Sequence, residues 1–246
     1  MKSKQKHWDD IFSAKQDTQL GWYEDDCSQT LNFLNNISIS ANSTLFLAGA
    51  GTSKLVDELL KTDAYLLVND ISAKALETLS QRLNAAQCQY LQHDLGVPFN
   101  NHGNKYFDKS LAIDIWIDRA VLHFLLTEEQ INHYFANLKN SVKCGGYVLL
   151  AEFSDSGATQ CAGLVVHQYS VAEMQTRLGD NFKLISSKEY SFINPFKQER
   201  PYLNALAKTT ILDKQHLLNI SLFNPVNFIL NNHRLMFLLK HQVLII

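Results

Sequence analysis

The stretch that decides the fold is "STLFLAGAGTSKLVDELL", residues 43–60. Strand-forming residues at 44–48 run into Gly49-Ala50-Gly51, and a helical pattern starts at once, with Leu55, Val56, Leu59 and Leu60 on one face. Glycine in such a turn permits positive φ and lets a ligand approach the backbone with no Cβ in the way. In an open α/β sheet, ligands bind outside the carboxyl ends of the strands, so this turn is the first place to look.

Outward from the turn, strand-like runs recur at 64–70, 87–92, 112–117 and 147–153. Helical patterns lie between them. Ser72 is placed to cap one that carries Ala75, Leu76, Leu79 and Leu83. Thr127 with Gln130 forms a capping box for another with Ile131, Tyr134, Phe135 and Leu138, which Gly145-Gly146 is expected to end. Strand and helix in alternation predict an α/β, doubly wound, mostly parallel sheet with helices on both faces. Beyond 153 comes the loop "SDSGATQCAG", then a helix at Val171–Leu178 opened by Ser170 and Glu173 and closed by Gly179. Two late strands at 182–190 and 200–208, with no long helix between them, predict a hairpin at the sheet edge and one antiparallel strand.

The 246 residues are 46% apolar and 19% charged, with a net charge of −2. That is the composition of a globular chain and carries no broad nucleic-acid-binding surface. Cys27, Cys88, Cys144 and Cys161 form no C-x-x-C pair, and the nine histidines show no ligand spacing, so no metal site is expected. No signal-type apolar core opens the chain and no apolar run approaches the roughly 20 residues of a membrane span, which makes the cytoplasm the expected location.

Three strand exits carry chemistry together. Asp70, about 20 residues beyond the glycine turn, is placed to accept both ribose hydroxyls of an adenosine. Asp94, ending the next strand in "YLQHDL", is placed to receive an adenine amino group. The dinucleotide fingerprint wants a third glycine where Lys54 stands, so that the helix packs closely and its end faces a pyrophosphate. A cofactor with adenosine and no phosphates, S-adenosylmethionine, fits better. An NAD-dependent oxidoreductase is disfavoured by Lys54 and by the lack of a Tyr-x-x-x-Lys pair.

With "HWDDIF", "LGWYE", "AGAGTSKLVDEL", "VNDIS", "HDL", "IDRAVLHFL" and "CGGYVLLAEFS", the chain resembles the class I, seven-strand S-adenosylmethionine-dependent methyltransferases over roughly residues 7–208. The resemblance is closest to the branch with small protein-lysine methyltransferases of the elongation-factor type and their bacterial relatives. It implies a sheet of order 3-2-1-4-5-7-6 with strand 7 antiparallel, in a domain at 1–208 whose segment 1–40 covers the cofactor. It also implies that Gly49 and Gly51 touch the cofactor, that Asp70 and Ile71 flank the ribose, and that Asp94 and Leu95 flank the adenine. Trp8, Phe12 and Trp22 would close over it. An acid common two residues before the first glycine is here Leu47.

Methyl transfer is an in-line displacement, so an enzyme mainly aligns the groups and excludes water, and a base is needed only for a protonated acceptor. The expected place is "DIWIDRAVLHF". Asp118 and His123 are the catalytic candidates and Arg119 a binding residue near the cofactor carboxylate or the substrate. The plainer reading pairs Asp118 with Arg119 to fix the loop. Lysine-methylating relatives have roughly Asp/Glu-Lys-Gly-Thr-Leu-Asp here, and His123 replaces the last acid. The stretch also looks like the Trp-Asp-Arg-Gly-Ala-Leu of thiopurine-type methyltransferases, which act on small thiols and selenols. The acceptor is thus a protein lysine or a small molecule. The Asn/Asp-Pro-Pro-Tyr of nucleobase amino-methylating enzymes is absent, which argues against nucleic acid. Tyr23, Cys161, His167 and Tyr169 are candidates for the substrate side, with Cys161 otherwise a small buried thiol.

The tail at 209–246 differs in kind: from 217 to 246, 18 of 30 residues are apolar and only Arg234 and Lys240 are charged. Two short helices broken at Asn224-Pro225 are expected, packed on the domain. A contact with a second copy, or with a membrane surface, is the other reading. This surface also motivates the competing function, a scaffold that keeps the fold without turnover.

Overall fold

The computed structural model describes residues 3–83, 86–99 and 112–210, and the backbone of 228–231, 234–239 and 242–245. The chain divides into two compact units, Met1–Thr210 and Ile211–Ile246.

In the first unit, seven strands form one sheet. They are β1 (Thr44–Ala48), β2 (Tyr65–Asp70), β3 (Cys88–Gln92), β4 (Ile113–Arg119), β5 (Val142–Phe153), β8 (Phe182–Ile193) and β9 (Glu199–Thr209). Their order is β3-β2-β1-β4-β5-β9-β8. The first five are parallel, while β9 runs antiparallel to both β5 and β8. This is the expected 3-2-1-4-5-7-6 sheet with its edge hairpin. A short ribbon, β6 (Gln160–Cys161) with β7 (Leu164–Val165), stands in the loop after β5.

Alternation along the strands splits the core. Leu45 and Leu47 of β1 join Leu66 and Val68 of β2 and Ile115 and Ile117 of β4, under α3 (Leu55–Leu60) and α4 (Ala73–Leu83), with Leu34 of α2 (Ser28–Leu34) in the same cluster. Phe46 and Trp116 face the other way, against Ile131, Tyr134 and Leu138 of α5 (Glu128–Ser141) and Met174 of α6 (Val171–Leu178). The N-caps form, with Thr127 Oγ1 accepting from the Gln130 amide and Ser170 Oγ from Glu173, but neither expected box closes: the Gln130 side chain accepts from the Leu126 amide and the Glu173 carboxylate meets His167 and Arg177. Gly179 closes α6 at φ 76°. Ser72 Oγ accepts from the Ala75 amide at 3.1 Å.

Three local expectations change. Gly145-Gly146 does not end α5: the helix stops at Ser141, and the glycines lie within β5 at a bulge where Ile113 pairs Val142 but Ile115 pairs Tyr147. A Cβ at Gly146 would lie 2.9 Å from the Lys143 carbonyl oxygen, so the bulge needs glycine there. Second, β4 runs two residues past its apolar run, so Asp118 and Arg119 are its last residues rather than the loop that follows it. Third, the tail holds strands where helices were expected. Here β10 (Phe228–Asn231), β11 (Arg234–Leu239) and β12 (Gln242–Ile245) form an antiparallel three-stranded sheet. Apolar runs of three, five and four residues at 228–230, 235–239 and 243–246, separated by polar stretches of four and three residues, suit hairpins and are too short for helical faces. The expected break at Asn224-Pro225 lies outside the described residues.

Candidate active site

The carboxyl ends of β1, β2, β3 and β4 meet at one cavity, and the N-terminal segment covers it. Gly49 and Gly51 form its floor with φ of 54° and 53°. Gly49 is closed to larger residues, since a Cβ there would lie 2.0 Å from Val121 Cγ2, while a Cβ on Gly51 would press on Phe12 Cζ at 3.1 Å, and positive φ disfavours a side chain at either. Asp70 fixes this turn. Its Oδ2 accepts from the Gly51 amide and its Oδ1 from the Ser72 amide, each at 2.8 Å. Burial pushes the Asp70 carboxyl up to about 6 against the pull of those amides. Ile71, Asp94 and Leu95 line the adjoining wall. Asp94 Oδ1 accepts from the Gly96 amide at 2.9 Å, and Asn137 holds the Leu95 carbonyl at 3.2 Å.

The cover begins with α1 (Lys4–Ala14), followed by a 3-10 turn at Asp17–Gln19. Trp8 packs edge-on against Trp22 and Phe124, with ring centroids 5.5 and 4.9 Å away, and Phe12 meets Trp22 at 6.2 Å. Acids of this segment fasten it to the strand ends. Asp9 Oδ1 accepts from Ser72 Oγ at 2.7 Å, and Asp17 Oδ1 from Thr52 Oγ1 at 2.6 Å. Burial works against the Asp9 charge, but the Ser72, Lys74 and Gln5 hydrogen bonds outweigh it and its carboxyl falls below the usual value. Lys54 pairs with Asp25, beside the Tyr23 ring, and so stands outside the cavity wall.

Arg119 lines the cavity and pairs with Glu24, Nη1 to Oε2 at 2.8 Å, rather than with Asp118. Burial raises the Glu24 carboxyl even with the guanidinium beside it. Tyr23 and Cys161 also reach the cavity, joined by Tyr202 of β9. Burial pushes the Cys161 thiol and the Tyr202 hydroxyl up, so neither is a ready base.

Asp118 and His123 do not line the cavity; both are fully buried behind it. Asp118 accepts from the amides of Val121 and Leu122 and from the Tyr134 hydroxyl, the last at 2.6 Å. His123 Nδ1 lies 2.7 Å from Glu152 Oε2, which also accepts from the His123 amide. Burial, then the Glu152 charge, holds the Asp118 carboxyl well above its usual range. Burial alone carries Glu152 up to about 8 and His123 down to about 3, leaving the imidazole neutral. The cluster shapes the loop that presents Ala120 (φ 71°), Val121 and Phe124 to the cavity. Expected at the cavity, Asp118 and His123 instead stand buried beside the loop that lines it.

His167 and Tyr169 are likewise set apart. His167 Nε2 lies 3.0 Å from both Glu173 oxygens, and Tyr169 is buried with its amide on the Phe153 carbonyl. Among the described residues, no group of three or more His, Cys, Asp or Glu is arranged to hold a metal, and no helix is long and apolar enough to cross a membrane. Sequence reasoning passed over Glu24, Phe124, Tyr202 and Glu152. An acid inside the apolar run "YVLLAEF" was the available signal for the last.

No protein-family model matches the chain, and no curated protein matches it in sequence. Solved structures do match its fold. An S-adenosylmethionine-dependent methyltransferase from Anabaena variabilis superposes with a TM-score of 0.68 at 14% identity, over 83% of this chain and 93% of that one. The fold is that of the S-adenosylmethionine-dependent methyltransferases. The N-methyltransferase NodS from Bradyrhizobium japonicum, in complex with S-adenosylhomocysteine, gives 0.64 at 16% identity, over 83% and 100%. The 1,6-didemethyltoxoflavin-N1-methyltransferase of Burkholderia thailandensis, with that substrate and S-adenosylhomocysteine bound, gives 0.58 at 14%, over 82% of each chain. At these identities the likeness is one of fold.

Proposed function

We propose that the chain transfers a methyl group from S-adenosylmethionine to a small-molecule acceptor. One observation carries this reading: the glycine floor, the Asp70 and Asp94 carboxylates and the aromatic cover of Trp8, Phe12 and Trp22 meet in a single cavity at the switch point of the sheet.

The residues present fit the cofactor. Gly49 and Gly51 hold the positive-φ floor of the cavity, and Asp70 and Asp94 would hold the nucleoside through the lone pairs that their backbone amides leave over. Bound there, S-adenosylmethionine supplies an electrophilic methyl carbon on a sulfonium centre. The aromatic rings exclude water and face a cation favourably. Arg119, neutralised by Glu24, orients polar groups without adding net charge beside that cation.

The acceptor follows from what the cavity lacks. Asp118 and His123 lie behind the wall, Cys161 and Tyr202 are held protonated, Glu24 is paired with Arg119, and His93 Nε2 lies 3.0 Å from the Val97 carbonyl oxygen, so these groups are engaged elsewhere rather than poised as a base. An acceptor atom that arrives with a lone pair, such as a neutral nitrogen or a thiolate, suits it better than a lysine ammonium. Two of the structural neighbours are named as N-methyltransferases, one with a small substrate bound, which agrees with this reading.

The test has two stages. Calorimetry with S-adenosylhomocysteine should give saturable one-site binding; no binding sinks the enzyme reading. Labelled S-adenosylmethionine with a cell lysate should then place label in the small-molecule fraction. Label confined to protein would establish the lysine alternative instead, and none in either fraction would favour the scaffold.

A further inference from the structure

Lys4 is the charged group of the cavity wall that the reading above leaves unused. It sits with Trp8 and Phe12 at four-residue intervals on α1, and all three line the cavity. Its Nζ is shielded from solvent and has no hydrogen-bond partner among the described residues. The neighbouring cations are all answered: Arg119 by Glu24, Lys54 by Asp25, and Arg82 by Asp57. The cavity's acids are committed elsewhere, Asp70 to the Gly51 and Ser72 amides, Asp94 to Gly96 and Glu24 to Arg119.

An ammonium out of water without a counter-charge is costly, and a neutral acceptor offsets only part of that cost. It carries three donors and a single charge. A carboxylate balances it one for one. A phosphate would bring a second charge into a wall that already holds Asp70 and Asp94.

We infer that Lys4 is a ligand-recognition residue whose ammonium receives a carboxylate carried by a molecule in this cavity. The inference rests on the methyltransferase reading. Two sources share this chemistry, the amino-acid end of the cofactor and a carboxylate-bearing methyl acceptor.

Calorimetry on the full chain separates them. The ligands are S-adenosylhomocysteine, 5′-methylthioadenosine (which keeps the nucleoside and sulfur but lacks the amino-acid end) and, for protein saturated with S-adenosylhomocysteine, benzoate. Lys4→Met and Lys4→Arg are compared with wild type, with circular dichroism to show that each folds. If the cofactor is the source, Lys4→Met weakens S-adenosylhomocysteine about tenfold or more and leaves methylthioadenosine unchanged. If the acceptor is the source, both adenosine ligands are unchanged and benzoate binding to the loaded protein is lost. Lys4→Arg retains most of the affinity in either case. The inference is overturned if Lys4→Met binds every ligand as wild type does, or if methylthioadenosine weakens as much as S-adenosylhomocysteine. A wild type that takes up no S-adenosylhomocysteine sinks the methyltransferase reading, which is a separate result.

Discussion

The Gly51 amide donates to Asp70 Oδ2 at 2.8 Å, so a carboxylate at the end of β2 holds the turn at the end of β1. The same carboxylate holds the Ser72 amide through its other oxygen, at the entry to α4. Asp70 is therefore part of the floor's construction as well as its surface.

Asp70→Ala should accordingly cost both stability and binding. Two buried amides lose their acceptor, worth about 2–4 kcal/mol together. Affinity for S-adenosylhomocysteine should fall by about tenfold or more. Urea denaturation and calorimetry measure the two. Normal stability in Asp70→Ala would deny the structural role even if binding were lost.

The buried cluster behind the cavity sets a pH dependence. Glu152 is raised to about 8, so from the usual carboxyl range up to there the native state keeps a proton that the unfolded chain has released. Its contribution is complete at low pH and is lost as pH rises through 8. His123 is lowered to about 3, so its contribution is complete above its usual 6.5 and is lost on acidification. The two oppose each other at mildly acid pH. Above 6.5 the carboxyl acts without that opposition, and stability should fall by about 1–2 kcal/mol between pH 6.5 and 8. Glu152→Gln keeps the shape and removes one retained proton, so the fall in urea midpoint over that interval should be smaller in this variant, with Asp118, which burial also raises, carrying the remainder. An unchanged slope in Glu152→Gln would assign the effect to other groups.

Gly49 and Val121 predict a coupled pair. Gly49→Ala places a Cβ 2.0 Å from Val121 Cγ2 and asks alanine to hold φ 54°. The backbone part costs about 1–2 kcal/mol and the overpacking about 1–3 more. Adding Val121→Ala should return the overpacking part and leave the backbone part. A double-mutant cycle by denaturation reads the coupling, and strictly additive costs would show that the turn relaxes away from Val121.

Why some of this was legible and some was not is itself physical. β1 and β2 are apolar runs closed by the glycine turn and by Asp70, and local pattern carries that information, whereas Asp94, expected at the end of a strand, stands two residues past the end of β3 at Gln92. Arg119 and Glu24 are 95 residues apart, so their pairing depends on how the N-terminal segment folds back and leaves no local trace. Asp118 was misplaced because β4 continues two residues past its apolar run, which turns an expected loop acid into a buried strand acid. The tail failed for a related reason, since short apolar runs serve strand and helix alike and the spacing of the polar stretches decides.

Trp8 gives the last prediction, on the cover. No residue of α1 is fully buried, so the helix relies on the Asp9–Ser72 contact and on aromatic packing to stay in place. Trp8 supplies the edge-on contacts to Trp22 and Phe124 and a tilted one to Phe12 at 6.4 Å. Such pairs are worth about 0.5–1.5 kcal/mol each beyond their buried area. Trp8→Ala should therefore open the cover while leaving the sheet intact. Stopped-flow displacement should show S-adenosylhomocysteine leaving about tenfold faster or more, with the association rate little changed. Lys15 follows α1 in an exposed, extended conformation, and bound ligand should slow its cleavage by trypsin in wild type but not in Trp8→Ala. A dissociation rate equal to wild type would mean that Phe12 and Trp22 hold the cover without Trp8.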